Sequence, residues 1–312
     1  MRYTRTAVRL TALLAALALA GTACGSDDSG GGGSGPLKGV SLTVGSKEFT
    51  EQLILGQITI QALENAGASV EDQTGITGTT NVRKALTSGE VDLYWEYTGT
   101  GWTTILGHEV SEAPKDDQAL FDAVAKEDLG KGIKWFALSS ANDTYAIATA
   151  SGGDVTSLSE YASLANSDAS AASLCAAAEF LDRDDGWPGV EKAYGFDLPT
   201  ENITEVDLGI VFTQVPSGEK CHFGEVFATD GRIPANDMLV LDDDKDFFVK
   251  YDLAVTMNAD LYDKNPKVAE ILTPIAEKMT TEELQKLNAQ KDVDGIPPEE
   301  IAKTWLADNG FV

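Results

Sequence analysis

The 312-residue chain reads as an α/β protein of two lobes. Short apolar strands alternate with amphipathic helices from Val40 onward, and that rhythm stops near Ala137 and restarts at Tyr145. About 275 residues follow an amino-terminal tether, a length that by itself suggests two lobes or domains. Strands alternating with helices imply a largely parallel sheet covered on both faces.

Val40–Val44 is the first short strand. Thr50 is placed to cap a helix that carries Leu53, Ile54, Ile58, Ala62 and Leu63 toward a core, and Gly67 stops it. A strand near Ser69–Asp72 follows, then a helix from about Asn81 to Thr87 that ends at Gly89. Next comes VDLYWEYTGTGW, from Val91 to Trp102. Period-two alternation puts Val91, Leu93, Trp95 and Tyr97 on one face, and Asp92, Tyr94 and Glu96 on the other. The rings continue up to a turn in which Gly99 and Gly101 let a backbone approach closely, an arrangement that suits a ligand as well as packing.

Asp116–Leu129 is an amphipathic helix with Leu120, Ala123, Val124 and Leu129 apolar, and it leads to a strand over Ile133–Ala137. In the second half, Tyr145–Ala150 is a strand and Leu158–Leu164 a helix. Strand-like runs lie at Gly209–Gln214, Glu225–Ala228 and Met238–Leu241. The tail, Pro266–Val312, is mostly helical, with Val268, Ile271, Leu272 and Ile275 on one face.

Arg2, Arg5 and Arg9 precede an apolar run over Leu10–Ala20 that is too short to span a bilayer, so residues 1–23 read as a secretory signal segment. Gly21-Thr22-Ala23-Cys24 is similar to a bacterial lipobox, with Gly21 where leucine is commoner. The likeness implies a lipid-modified Cys24 and a protein held on the outer face of the cytoplasmic membrane by that anchor alone. Residues 24–37, rich in glycine and serine, form a flexible tether.

The formal charge is −27, and loss of the three signal arginines takes it to −30. Such acidity argues against nucleic acid and anionic membrane as partners. Cys175 and Cys221 form an even pair in a compartment that permits disulfides. A bridge between them would stabilise the fold by roughly 3 to 4 kcal/mol, and two separately buried thiols are the alternative.

Asp242–Asp246 and Asp182–Gly186 are rich in oxygen ligands, but the second run lacks calcium-loop spacing, and no metal is expected. His108 and His222 are too far apart in sequence to suggest zinc, and no G-x-S-x-G elbow lies outside the tether. No phosphate loop of the glycine-rich type is present. An enzyme and a cofactor are therefore not expected.

Six blocks carry a resemblance: GSKEFTEQ from Gly45, YTGT from Tyr97, NDTY from Asn142, EFLDRDDG from Glu179, VFATDGRI from Val226 and DDKDFFVKY from Asp243. In this order they resemble the substrate-binding proteins of osmoprotectant ABC importers, a family that takes up glycine betaine, choline, carnitine and proline betaine. The resemblance implies a type II periplasmic binding protein fold: two α/β lobes joined by two crossover segments, with the ligand in the cleft between them. The first lobe would hold residues 38–142 and a returning part, 257–312; the second would hold 143–256. Asn142–Tyr145 and Ala254–Met257 would be the crossings.

The resemblance also implies site roles. Tyr97, Tyr145 and Tyr251 would supply rings for a quaternary ammonium, with Phe227 where many relatives carry tyrosine. Lys47 and Arg183 would face a carboxylate, and Thr100 would donate a hydroxyl. Asp143 and Glu179 match acidic positions near the cleft. If helical, Glu179 and Arg183 meet on one face, where the acid can orient the guanidinium. The implied partners are the small ligand and a permease subunit, with the binding protein a monomer. An amino acid or other polar metabolite is the rival cargo, and a secreted hydrolase the rival of another class.

Overall fold

The computed structural model describes residues 35–312. The signal segment, Cys24 and most of the tether lie outside the described residues. In chain order the strands are β1 (Ser41–Lys47), β2 (Ser69–Ile76), β3 (Leu93–Tyr97), β4 (Ile133–Phe136), β5 (Tyr145–Ala150), β6 (Leu174–Ala176), β7 (Ile203–Glu205), β8 (Phe223–Phe227), β9 (Met238–Val240) and β10 (Leu253–Asn258). They form two five-stranded sheets, ordered β2-β1-β3-β10-β4 and β7-β6-β8-β5-β9.

Both sheets are mixed, where a largely parallel sheet was expected. β1 runs parallel to β2 and β3, and β6 parallel to β7 and β8. β10 runs antiparallel to β3 and β4, and β5 antiparallel to β8 and β9. The reason is topological. β5 and β10 are the strands that enter each lobe from the other one, so they cross their sheets against the direction of their neighbours.

The first crossing lies between β4 and β5, and Asn142 in it pairs with Asp252 of the second. Ala254–Met257, expected to be the second crossing, lies inside β10 instead, fully buried between β3 and β4. The crossing therefore precedes Leu253, and the returning part of the first lobe starts there rather than at residue 257.

Thr50 does not cap its helix. Phe49 holds the N-cap position of Thr50–Asn65, while the Thr50 hydroxyl donates to Asp292 at 2.6 Å and ties the helix start to the tail. Ile54, Ile58, Ala62 and Leu63 are buried as expected, with Leu53 half-buried at the edge of that face. Asp116 caps Asp117–Leu129 through the Ala119 amide, and Leu129, the last residue of the helix, is 49% exposed rather than buried.

Gly209–Gln214 is not a strand: it belongs to the helix Leu208–Ser217. A short apolar run has no periodicity that separates strand from helix. Here Val211, Phe212 and Val215 recur at helical spacing and pack into a small second core with Ala146, Ala148 and Cys175. The tail is helical over Lys267–Ala276, Thr281–Asp292 and Pro298–Asp308. Among the described residues no helix is long and apolar enough to cross a membrane.

Cys175 in β6 and Cys221 just before β8 form a disulfide, with Cα atoms 5.7 Å apart and both residues fully buried. Across the lobes, a Cβ on Gly231 would lie 2.5 Å from the Gln285 carbonyl and 2.7 Å from the Ala289 amide. Only a glycine lets the second lobe come this close to the helix Thr281–Asp292.

Replacing both Cys175 and Cys221 by alanine should cost about 2 to 4 kcal/mol in denaturant unfolding, and an unchanged unfolding free energy would mean that the second lobe's small core does not need the bridge. Gly231→Ala should part the lobes: overpacking of about 1 to 3 kcal/mol at this contact is relieved by opening, so X-ray scattering reads a larger radius than wild type while the melting midpoint moves little.

Candidate functional site

A cavity of about 960 Å³ lies between the lobes. Strand ends supply four of its expected ligand side chains. Lys47 closes β1, Tyr97 closes β3, Tyr145 opens β5 and Phe227 closes β8, so each side chain leaves its sheet at the edge that faces the other lobe.

The rings form a continuous chain. Phe49 stacks on Tyr97 with centroids 6.3 Å apart and on Phe227 at 5.3 Å. Phe227 and Tyr145 are register partners in neighbouring strands, at 5.2 Å, and Tyr145 meets Tyr251 edge-on at 5.5 Å. Contact of Phe49 with Phe227 is contact between lobes. Within VDLYWEYTGTGW, only Tyr97 lines the cavity; Tyr94 and Trp95 are buried in the core of the first lobe, and Trp102 stacks on His108 at 4.1 Å. The close approach at Gly99 serves the second crossing, since a Cβ there would lie 2.8 Å from the Lys250 carbonyl.

Every expected ligand residue except Thr100 lines the cavity. Thr100 is buried behind Arg183, which reaches its hydroxyl at 3.5 Å, because the chain turns helical after Tyr97 and carries Thr100 away from the cleft. Lys47 sits 2.6 Å from Glu96, a carboxylate with no exposure, and 5.0 Å from the centre of the Tyr97 ring. Arg183 grips Asp185 through Nε at 2.7 Å and Nη2 at 2.5 Å, and reaches Glu179 through Nη1 at 3.0 Å. Glu179 and Arg183 thus meet as their spacing suggested. Burial works against the Glu179 charge, but Lys47, the Thr79 hydroxyl and Arg183 outweigh it and hold the carboxyl below its usual range. That Thr79 hydroxyl donates at 2.7 Å from the opposite lobe.

Asp143 accepts from the Thr229 hydroxyl at 2.5 Å, and burial, with Glu51 nearby, pushes its carboxyl well up. Glu51, buried under the rings, accepts from the Tyr97 hydroxyl at 2.8 Å and from Asn288 at 3.0 Å. Burial raises Glu51 too. Glu225, also in the cavity wall, is pushed up to about 8 by burial, with the Glu179 charge adding to it.

Phe49, Glu51, Thr79, Glu225 and Asn288 were not anticipated. Two of them stand inside GSKEFTEQ, and Glu225 lies two residues before Phe227, hence on the same strand face. Asn288 had no signal: it belongs to a tail helix that returns to the cleft only in three dimensions.

The acidic runs hold turns. Asp243 accepts from the Tyr194 hydroxyl and the Phe247 and Phe248 amides. Among the described residues no cluster of His, Cys, Asp and Glu could hold a metal. His108 pairs with Glu127 and His222 with Ser173, and neither lines the cavity, which leaves the hydrolase reading without its candidate bases.

Residues 40–308 match the model of the substrate binding domain of the ABC-type glycine betaine transport system. The chain belongs to this family. Members are binding proteins and not enzymes, and they work outside the cytoplasm with ABC importers. The chain is 31% identical to the glycine-betaine-binding protein of Pseudomonas aeruginosa, over 86% of this chain and 88% of that one. It is also 31% identical to an ergothioneine transport permease/ergothioneine binding protein, EgtU, of Helicobacter pylori, over 85% of this chain and 47% of that one. The solved structure of apo YehZ from Escherichia coli superposes with a TM-score of 0.64 at 28% identity, covering 87% of this chain and 99% of that one. The fold is the type II periplasmic binding protein fold.

The raised carboxyls set the pH dependence of the family member's stability. Asp252 in the second crossing is buried with Oδ2 unpartnered, and burial, then Asp117, pushes it up to about 7. With Glu225 at about 8, these groups bind protons in the folded state that the unfolded chain has released. Their stabilisation is complete below the unfolded carboxylate range and is lost as pH rises through about 7 and about 8. Unfolding free energy should therefore fall between about pH 5 and about pH 8.5, and Asp252→Asn should recover on the order of 1 to 3 kcal/mol at the upper end, read by denaturant titration at each pH.

Proposed function

We propose that this protein captures a small quaternary ammonium compound of the glycine betaine, choline and carnitine class between its lobes and delivers it to the permease of an ABC importer. One observation carries the reading: Phe49, Tyr97, Tyr145, Phe227 and Tyr251, drawn from both lobes and the second crossing, line a single cavity. A trimethylammonium has no N–H to donate, so hydrogen-bond acceptors cannot select it, whereas ring faces attract it by roughly 0.5 to 2 kcal/mol each.

Micromolar binding needs about 8 kcal/mol, more than the rings supply comfortably. A cargo carboxylate finds the remainder at Lys47 and Arg183. Lys47 spends one of its three donors on Glu96, and Arg183 spends four of its five on Asp185, Glu179 and Thr100. Thr100 has no part in this role. Phe227 keeps the ring face without a phenol, and the loss of that polar handle keeps choline, carnitine and other methylated ammonium compounds in the panel beside glycine betaine. Ergothioneine, a trimethylammonium betaine with a sulfur-bearing ring, belongs in the same panel because a relative is named for it.

Closure is a hinge motion biased by contacts that the cargo makes with both lobes. Every lining residue comes from one chain, so a monomer suffices. Anchoring by a lipid on Cys24 rests on the arginines, apolar run and small residues that precede it.

A panel of glycine betaine, choline, carnitine, proline betaine and ergothioneine should contain at least one compound that stabilises the protein by about 2.7 kcal/mol at a hundred times its Kd, visible as a raised melting temperature. Tyr97→Ala and Tyr145→Ala should each abolish that rise. If no member of the panel moves the melting curve, the cargo class is wrong; native mass spectrometry of protein from rich medium would then identify an amino acid or other polar metabolite directly.

A further inference from the structure

Glu225 lies in β8, two residues before Phe227, so both side chains leave the strand on the cleft face. It is 1% exposed. Its Oε2 accepts from the Ala177 amide at 2.7 Å, and Oε1 has no hydrogen-bond partner among the described residues. The charged and titratable groups that face it are Glu179 and Arg183, from the helix Ala178–Asp182 and the residue after it, and Tyr145 of β5.

Arg183 is the basic group whose charge bears on it and lowers it, and that charge is already shared with two other acids. Arg183 is bound to Asp185 and Glu179, and Lys47 to Glu96. Glu225 is therefore a buried carboxyl beside the aromatic rings with no counter-ion of its own. We propose that Glu225 is the charge-selecting residue of the cleft, the group that favours a cargo of net positive charge over a zwitterion; the inference rests on the quaternary ammonium reading above.

In the empty cleft the carboxyl stays protonated near neutral pH, held up at about 8 by burial and then by Glu179. A cation seated against Tyr145 and Phe227 supplies the missing charge, favours the carboxylate and expels the proton. A zwitterion brings its own carboxylate and cancels much of that effect. Affinity for a cation should rise with pH up to about 8 and then level off. Glu51 and Asp143, the other raised acids of the cavity, differ: Glu51 has both oxygens engaged, by Tyr97 and Asn288, and its charge bears on Asp143, which Thr229 holds.

The test is calorimetric titration of the protein with choline and with glycine betaine, at several pH values and in two buffers of different protonation enthalpy. Choline heats should differ between buffers, giving release of a substantial fraction of one proton near neutral pH, with affinity rising by up to about tenfold per pH unit below the plateau. Glu225→Gln keeps an acceptor for the Ala177 amide. It should lose the proton release and the pH dependence, and above the plateau pH weaken choline about tenfold more than it weakens glycine betaine. Choline binding with buffer-independent heat overturns the proposal, and this wild-type comparison decides even if the variant does not fold. Binding of glycine betaine without choline also overturns it and leaves the cargo class standing. If neither ligand nor any other quaternary ammonium binds, the cargo class falls and this proposal with it.

Discussion

Asp185 takes hydrogen bonds from three directions. Arg183 of its own lobe holds both oxygens, the Tyr251 hydroxyl reaches Oδ2 from the second crossing at 2.7 Å, and the Thr103 hydroxyl reaches it from the first lobe at 2.6 Å. The carboxylate is 2% exposed, and burial alone would push it up, yet Arg183 and the two hydroxyls hold it below its usual range. Removing one partner from a buried pair of this kind leaves an uncompensated charge, which costs about 3 to 5 kcal/mol. Tyr251 and Arg183, two walls of the cleft, are therefore positioned by the same acid that joins the lobes.

The same economy of charge leaves rings as the main surface of the cleft. Its cations are engaged by internal acids, and burial pushes three further carboxyls upward, Glu51, Asp143 and Glu225, the last to about 8. What remains presented to a ligand is aromatic surface, a few unspent donors on Lys47 and Arg183, and one carboxyl oxygen of Glu225. Ring faces retain their attraction for a cation in such a desolvated place, where water does not compete.

Much of the fold was legible before the structure. The strand Tyr145–Ala150 and the restart of the rhythm there were read at their true places, as were the helical tail and the pairing of Cys175 with Cys221. The misreadings share a cause. Gly209–Gln214 and Ala254–Met257 are short apolar stretches whose local pattern fits several environments, and the environment was decided by neighbours distant in sequence: the second core for one, β3 and β4 for the other. Thr50 looks like a cap by type, but its hydroxyl is claimed by Asp292, 242 positions away.

The amino-acid sequence by itself determined which residue types could meet in the cleft: eight of the nine expected ligand residues line one cavity, Lys47, Tyr97, Tyr145 and Phe227 because a strand's end places its side chain at the sheet edge, and Asp143, Glu179, Arg183 and Tyr251 from the crossings and from the helix Ala178–Asp182 and the residue after it, beside those ends. Tertiary structure alone decided their electrical state and their company. Whether Lys47 is free or paired, whether Glu225 is charged, and whether Thr100 faces the cleft depend on burial and on groups brought from other lobes and helices. Desolvation and Coulomb interactions act through space, and distance in space is what a linear order of residues leaves unspecified.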